Sequence, residues 1–166
     1  MKFKALMLTL VLLLPGCLDS EGEEIRFNGR NLEGSDVYMF TLEDSKGPLW
    51  NLTEQEGKVV VLAFIFTRCD NTCPVTSQNL KVVYESLTED ELTKVSFVSV
   101  TVDWRHDSPS ELNNWSDRMG YDWPHLTGAK QALDPVYENY GVFPVEQGDD
   151  SDEGYTCLLY TSPSPR

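Results

Sequence analysis

The chain has 166 residues, with 27 acidic against 13 basic side chains and a formal charge of −14 at neutral pH. A surface of that sign repels phosphate backbones and anionic headgroups, which argues against nucleic acid as a partner. The length suffices for one domain with its own core, and no internal repeat is visible.

In chain order, the first segment has the pattern of a targeting signal: Lys2 and Lys4 precede the apolar run Ala5 to Leu14. A helix that spans a bilayer takes about 20 apolar residues, and this run is shorter. It ends in Leu14-Pro15-Gly16-Cys17, which is similar to a lipoprotein box. Residues 1–16 are therefore expected to be a signal peptide, with Cys17 lipidated. Residues 17–30, with Glu21, Glu23 and Glu24, read as an acidic flexible tether. The expected location is a membrane-anchored lipoprotein on the extracytoplasmic face, where disulfides persist.

Val37 to Leu42 is rich in β-formers, Glu43 to Gly47 carries turn residues, and Leu49 to Leu52 resumes, which predicts a hairpin. Val59 to Phe66 is apolar without alternation, as in a strand buried on both faces. A helix is predicted from Pro74, with Val75, Leu80, Val83, Tyr84 and Leu87 as its apolar stripe. Val95 to Val102 is a second buried strand. Ser108 and Glu111 mark a helix start that Gly120 ends. A short strand at Trp123 to Leu126 and a helix from Ala132 to Tyr140 complete the series. Strands alternating with helices imply an α/β sheet.

Cys69-Asp70-Asn71-Thr72-Cys73-Pro74 falls at the turn from the first buried strand into a helix. Residues i and i+4 share a helix face, so both sulfurs can address one site. A helix N-terminus favours negative charge, and the thiolate is both the nucleophile and the metal ligand. Thiolates select Cu(I), and an added imidazole extends the site to Cu(II). A static disulfide remains open from spacing alone.

The surroundings resemble the Sco/SenC family of copper proteins. Phe64-Ile65-Phe66-Thr67-Arg68-Cys69-Asp70-Asn71-Thr72-Cys73-Pro74 is similar to the family's strand and Cys-Pro core. Ser99 to Pro109, with Val102-Asp103 and Arg105-His106-Asp107-Ser108-Pro109, resembles its second motif. Trp123 to Gly128 and Tyr137 to Val142 are similar to its later segments. The resemblance implies a thioredoxin-like central sheet flanked by helices, with an N-terminal hairpin extension. It implies copper, as Cu(I) or Cu(II), on Cys69 and Cys73, with Asp103 as an acidic neighbour. The implied partner is the copper-bearing subunit of cytochrome oxidase or another copper acceptor, met at the membrane. Three functions follow: a copper chaperone, a thiol–disulfide oxidoreductase acting on acceptor cysteines, or a lipid-anchored binding module with a structural disulfide.

The resemblance also implies a third ligand, a histidine on a later strand. Gly154-Tyr155-Thr156 reaches that point, and no histidine follows. His106 and His125 read as surface or interface histidines rather than substitutes. Residues 157–166 can be encoded, residue for residue, by a transposase-end adapter used in sequencing libraries. They are expected to be a non-native tail, which the source nucleotides would test. Residues 31–156 are then an incomplete thioredoxin-like domain whose final hairpin strands and last helix are missing. Apolar sheet faces would stay uncovered, so the chain is expected to fold poorly. Of four cysteines, only Cys69 and Cys73 remain to carry chemistry.

Overall fold

A computed structural model describes residues 37–69, 72–144 and 159–162. The chain divides into residues 1–35 and 36–166, and all described residues lie in the second unit. The expected signal peptide, the tether and Cys17 lie outside the described residues. Among the described residues, no helix is long and apolar enough to cross a membrane.

The elements in chain order are β1 (Thr41–Asp44), β2 (Leu49–Asn51), a 3-10 turn (Leu52–Gln55), β3 (Val59–Ile65), α1 (Thr72–Ser86), α2 (Glu89–Leu92), β4 (Val95–Thr101), α3 (Pro109–Met119), β5 (His125–Thr127), α4 (Lys130–Tyr140) and β6 (Leu159–Ser162). They build one sheet in the order β2-β1-β5-β4-β3-β6. The three inner strands β5, β4 and β3 are parallel. The flanking strands β1, β2 and β6 run antiparallel to their neighbours. The N-terminal hairpin forms as expected, with Gly47 taking the positive φ of 115° that its tight turn requires.

Strand β3 is buried on both sides, and its period of two sorts its side chains. Val60, Leu62, Phe64 and Phe66 join one cluster with Leu133, Val136 and Tyr137 of α4. Ala63 and Ile65 join another with Leu80 of α1 and with Leu112 and Trp115 of α3. Helix α4 thus covers one face, and α1 and α3 cover the other. The expected uncovered face is not found along the middle of β3, where Leu62, Phe64 and Ile65 are all buried.

Strand β6 is an additional edge strand that the sequence reading did not include. It pairs antiparallel with β3, Val60 opposite Ser162 and Ala63 opposite Leu159. An open edge presents unpaired N–H and C=O groups, and Leu159-Tyr160-Thr161 has the composition to fill it. That strand lies inside the ten residues expected to be non-native.

Helix α1 departs from its expected stripe. The buried positions are Cys73, Ser77 and Leu80; Tyr84 and Leu87 pack partly with Leu80 on the face that α3 shares, whereas Cys73 joins the cluster that α4 covers. Val75 is 61% exposed and Val83 is 49% exposed, as is Val82 at 59%. At about 100° per residue Val75 lies on the side opposite Tyr84, and Val83 lies at the margin of the buried face. Helix α2 was not anticipated. Its capping box joins Thr88 and Glu91, a Ser/Thr-x-x-Glu pattern legible in the chain.

Candidate dicysteine site

In the parallel pairing of β3 with β4, Ile65 lies opposite Thr101. Both strands therefore end level, and their outgoing loops lie side by side. The first loop carries Thr67, Arg68 and Cys69; the second carries Asp103, His106 and Asp107. The Val102 amide donates to the Ile65 carbonyl at 2.8 Å and holds the two exits together.

Cys69 ends the first loop, its amide donating to the Phe66 carbonyl at 3.3 Å. Cys73 lies in the first turn of α1. Its backbone N–H donates to Cys69 Sγ at 3.2 Å, so the two cysteines meet at the helix N-terminus. Both are buried, with 5% and 0% exposure, against the face that α4 covers. Cys73 is in a disulfide, so a two-thiolate site requires that bond to be reduced first.

The two residues before Cys69 are each held by an aspartate from the second loop. Arg68 donates to Asp103 Oδ2 through Nε at 3.1 Å and Nη2 at 2.8 Å. His106 Nδ1 lies 2.8 Å from Asp103 Oδ1, and a carboxylate there takes the Nδ1 proton. Arg68 Nη2, 3.0 Å from the same nitrogen, shares that acceptor. Asp103, expected as an acidic neighbour of the metal, is 2% exposed and holds Arg68 and His106.

Asp107 is fully buried. It accepts the Thr67 amide at 3.1 Å, the Thr67 hydroxyl at 2.5 Å and the Thr101 hydroxyl at 2.5 Å. Burial raises its carboxyl above the usual carboxylate range, against the lowering pull of those donors. Its own carbonyl accepts the Thr127 hydroxyl at the end of β5, at 2.9 Å. Tyr137 of α4 donates to the Thr101 carbonyl at 2.7 Å, and burial holds its phenol far above the ordinary tyrosine value.

The histidines do not join the cysteines. His125 is buried beside Trp115, Tyr121 and Trp123, which pack on the face opposite Cys69 and Cys73. His106 is half-exposed and turned to Asp103. Among the described residues, no group of three or more His, Cys, Asp or Glu side chains is arranged to hold a metal ion. The donor set present is two sulfurs, which suits a soft, low-coordinate ion.

Sequence reasoning quoted Thr67 and Asp107 inside motifs without giving them a role. Only their place at the ends of adjacent strands supplies one. No local pattern marks Thr101 or Thr127 as their partners.

A mixed sheet whose inner strand β3 runs into a Cys-x-x-x-Cys helix N-terminus defines a thioredoxin-like dicysteine domain. The SCO1/SenC family model matches residues 31–158, and the chain belongs to that family. The SCO2-like protein of Rickettsia felis is 28% identical over 117 residues, which are 70% of this chain and 57% of that protein. The chain thus spans little more than half the length of such relatives. The solution structure of apo Sco1 from Thermus thermophilus matches with a TM-score of 0.64 at 28% identity, covering 85% of this chain and 80% of that one. Bradyrhizobium japonicum ScoI with copper bound shares the fold, with a TM-score of 0.61 at 21% identity over 77% and 79% of the two chains. The thioredoxin-like architecture expected from the sequence is the one observed.

Proposed function

We propose that this chain carries copper on Cys69 and Cys73 and passes it to an acceptor during cytochrome oxidase assembly. The observation that carries this reading is the Cys73 amide donating to Cys69 Sγ at 3.2 Å, which brings two soft donors together at one buried helix N-terminus. Membership in a family with copper-bound members and cytochrome c oxidase assembly proteins supports it. Copper is the cargo, and its release by ligand exchange suits an acceptor with similar soft ligands. A histidine is the third ligand that the family resemblance implies, and no histidine stands after Thr156, where that ligand is expected. Cys17 is the proposed lipid attachment that keeps the domain at the extracytoplasmic membrane face. The test is a Cu(I) titration of the fully reduced protein against a competing chelator. Stoichiometric binding that Cys69→Ser and Cys73→Ser each abolish is expected; parent protein that binds no copper overturns the reading.

The 3.2 Å approach of Cys69 Sγ to the Cys73 amide also supports a second reading, thiol–disulfide exchange. In its reduced form, Cys69 thiolate attacks an acceptor disulfide and releases one acceptor thiolate. Cys73 thiolate then attacks the mixed disulfide, forming the Cys69–Cys73 bond and freeing the second acceptor thiolate. Two electrons pass to the acceptor. Stopped-flow reduction of a peptide disulfide distinguishes this reading, since Cys69→Ser abolishes it and Cys73→Ser traps the mixed disulfide.

A further inference from the structure

Two aspartates four residues apart, Asp103 and Asp107, hold two consecutive residues, Arg68 and Thr67, immediately before Cys69. The two contacts differ in kind. Asp103 grips a long side chain whose head is partly exposed, whereas Asp107 grips the loop backbone itself through the Thr67 N–H. Asp107 is in turn held from three directions. Its amide donates to the Asp103 carbonyl at 2.9 Å, its carboxylate takes the Thr101 hydroxyl, and its carbonyl takes the Thr127 hydroxyl. The ends of β3, β4 and β5 thus converge on one fully buried residue.

We propose that Asp107 is a positioning residue for the dicysteine site, fixing through Thr67 where Cys69 Sγ stands relative to Cys73. The proposal rests on the reading of Cys69 and Cys73 as the reacting pair. Cys69 is two residues from Thr67, with only the turn closed by its amide and the Phe66 carbonyl between them. A loop anchored at both backbone and hydroxyl of Thr67 has little freedom to shift that turn. An apolar residue at 107 leaves the buried Thr101 hydroxyl and two part-buried donors of Thr67 without their acceptor, and the turn moves to satisfy them. Asparagine with its oxygen in place of Oδ2 keeps both the Thr67 amide and the Thr101 hydroxyl, and its N–H meets the Thr67 hydroxyl, so the anchor survives. Burial that raises the Asp107 carboxyl agrees with tolerance of this neutral analogue.

The experiment compares the reduced parent chain with Asp107→Ala, Asp107→Asn, Thr67→Val and Leu112→Ala. Leu112 is buried on the opposite face and serves as a stability control. Two readouts are taken: Cu(I) affinity by chelator competition, and the rate of Cys69 and Cys73 with a small aromatic disulfide. Outer-shell partners of metal ligands change affinity by roughly 10- to 100-fold. Asp107→Ala and Thr67→Val are expected to weaken Cu(I) by about tenfold or more and to shift the thiol rate. Asp107→Asn and Leu112→Ala are expected to stay near the parent in both. Parent-like values for Asp107→Ala, or equal losses in Leu112→Ala, overturn the proposal. Should Asp107→Ala not fold, Thr67→Val decides alone, and parent-like behaviour there overturns it. A parent that binds no Cu(I) removes the copper reading, while the thiol rates still judge Asp107.

Discussion

Arg68 and Asp103, 35 residues apart in the chain, form an ion pair in which Nη2 and Nε both donate to one carboxylate oxygen, at 2.8 and 3.1 Å. The pair is lopsided. Asp103 is 2% exposed, while the Arg68 side chain is 43% exposed. Removing the arginine strands a buried carboxylate beside His106, whereas neutralising the aspartate lets Arg68 turn to water. Arg68→Ala is therefore expected to destabilise by about 1–3 kcal/mol, and Asp103→Asn by less. Urea unfolding of the two variants checks the order; a larger loss in Asp103→Asn would contradict it.

Neither ring nitrogen of His125 makes a hydrogen bond of good geometry in its aromatic surroundings. Burial lowers its pKa from 6.5 to about 4. The unfolded chain then binds a proton that the folded chain refuses between those values. The contribution is fully present above the unfolded value and is lost as pH falls toward 4, a loss of about 3 kcal/mol. Asp107, whose carboxyl burial raises, pulls the other way at the acid end of that window. Thermal midpoints measured from pH 7.5 down to 4 should fall in the parent and fall less in His125→Phe. Equal slopes would show that His125 is not the responsible group.

The faces of α1 make a separate prediction. Leu80 is buried against β3, so Leu80→Ala should cost about 2–4 kcal/mol through lost burial and a residual cavity. Val75 and Val83 are exposed, so Val75→Thr and Val83→Lys should change stability by no more than about 0.5 kcal/mol. Chemical denaturation separates the two sets. A loss at Val83 comparable to that at Leu80 would restore the stripe expected from spacing.

The cysteine pair separates chemistry from scaffolding. In the copper and exchange readings, Cys69→Ala should abolish the activity measured while leaving the unfolding midpoint near the parent's. A structural role predicts the reverse, a large stability loss with oxidase assembly intact. Complementation of an assembly-deficient strain, paired with calorimetry of the purified variant, distinguishes them.

Much of the architecture was legible in the chain. Val59 to Phe66 and Val95 to Val102 announced the two inner strands because burial on both faces leaves no polar alternation. Ser108, Glu111 and Gly120 bracketed α3, whose cap, first turn and left-handed C-terminus all follow that reading. The stripe of α1 was drawn too wide, because at about 100° per residue Val75 lies opposite Tyr84 and well away from Leu80, so Val75 cannot share one buried face with them. Strand β6 was unforeseen because edge pairing is decided by the partner strand, and Leu159-Tyr160-Thr161, though suited to a strand, does not name the edge that it joins.

The sequence by itself determined the strand–helix alternation, the Cys-x-x-x-Cys spacing and membership in a family defined by ordered motifs. Each of these is written over a few neighbouring residues. Tertiary structure alone decided that His125 faces away from the sulfurs, that Asp103 serves Arg68, and that Asp107 gathers Thr67, Thr101 and Thr127. Those relations depend on which strands lie side by side and on where each ends. Sheet order and register set both, and neither is carried by local periodicity.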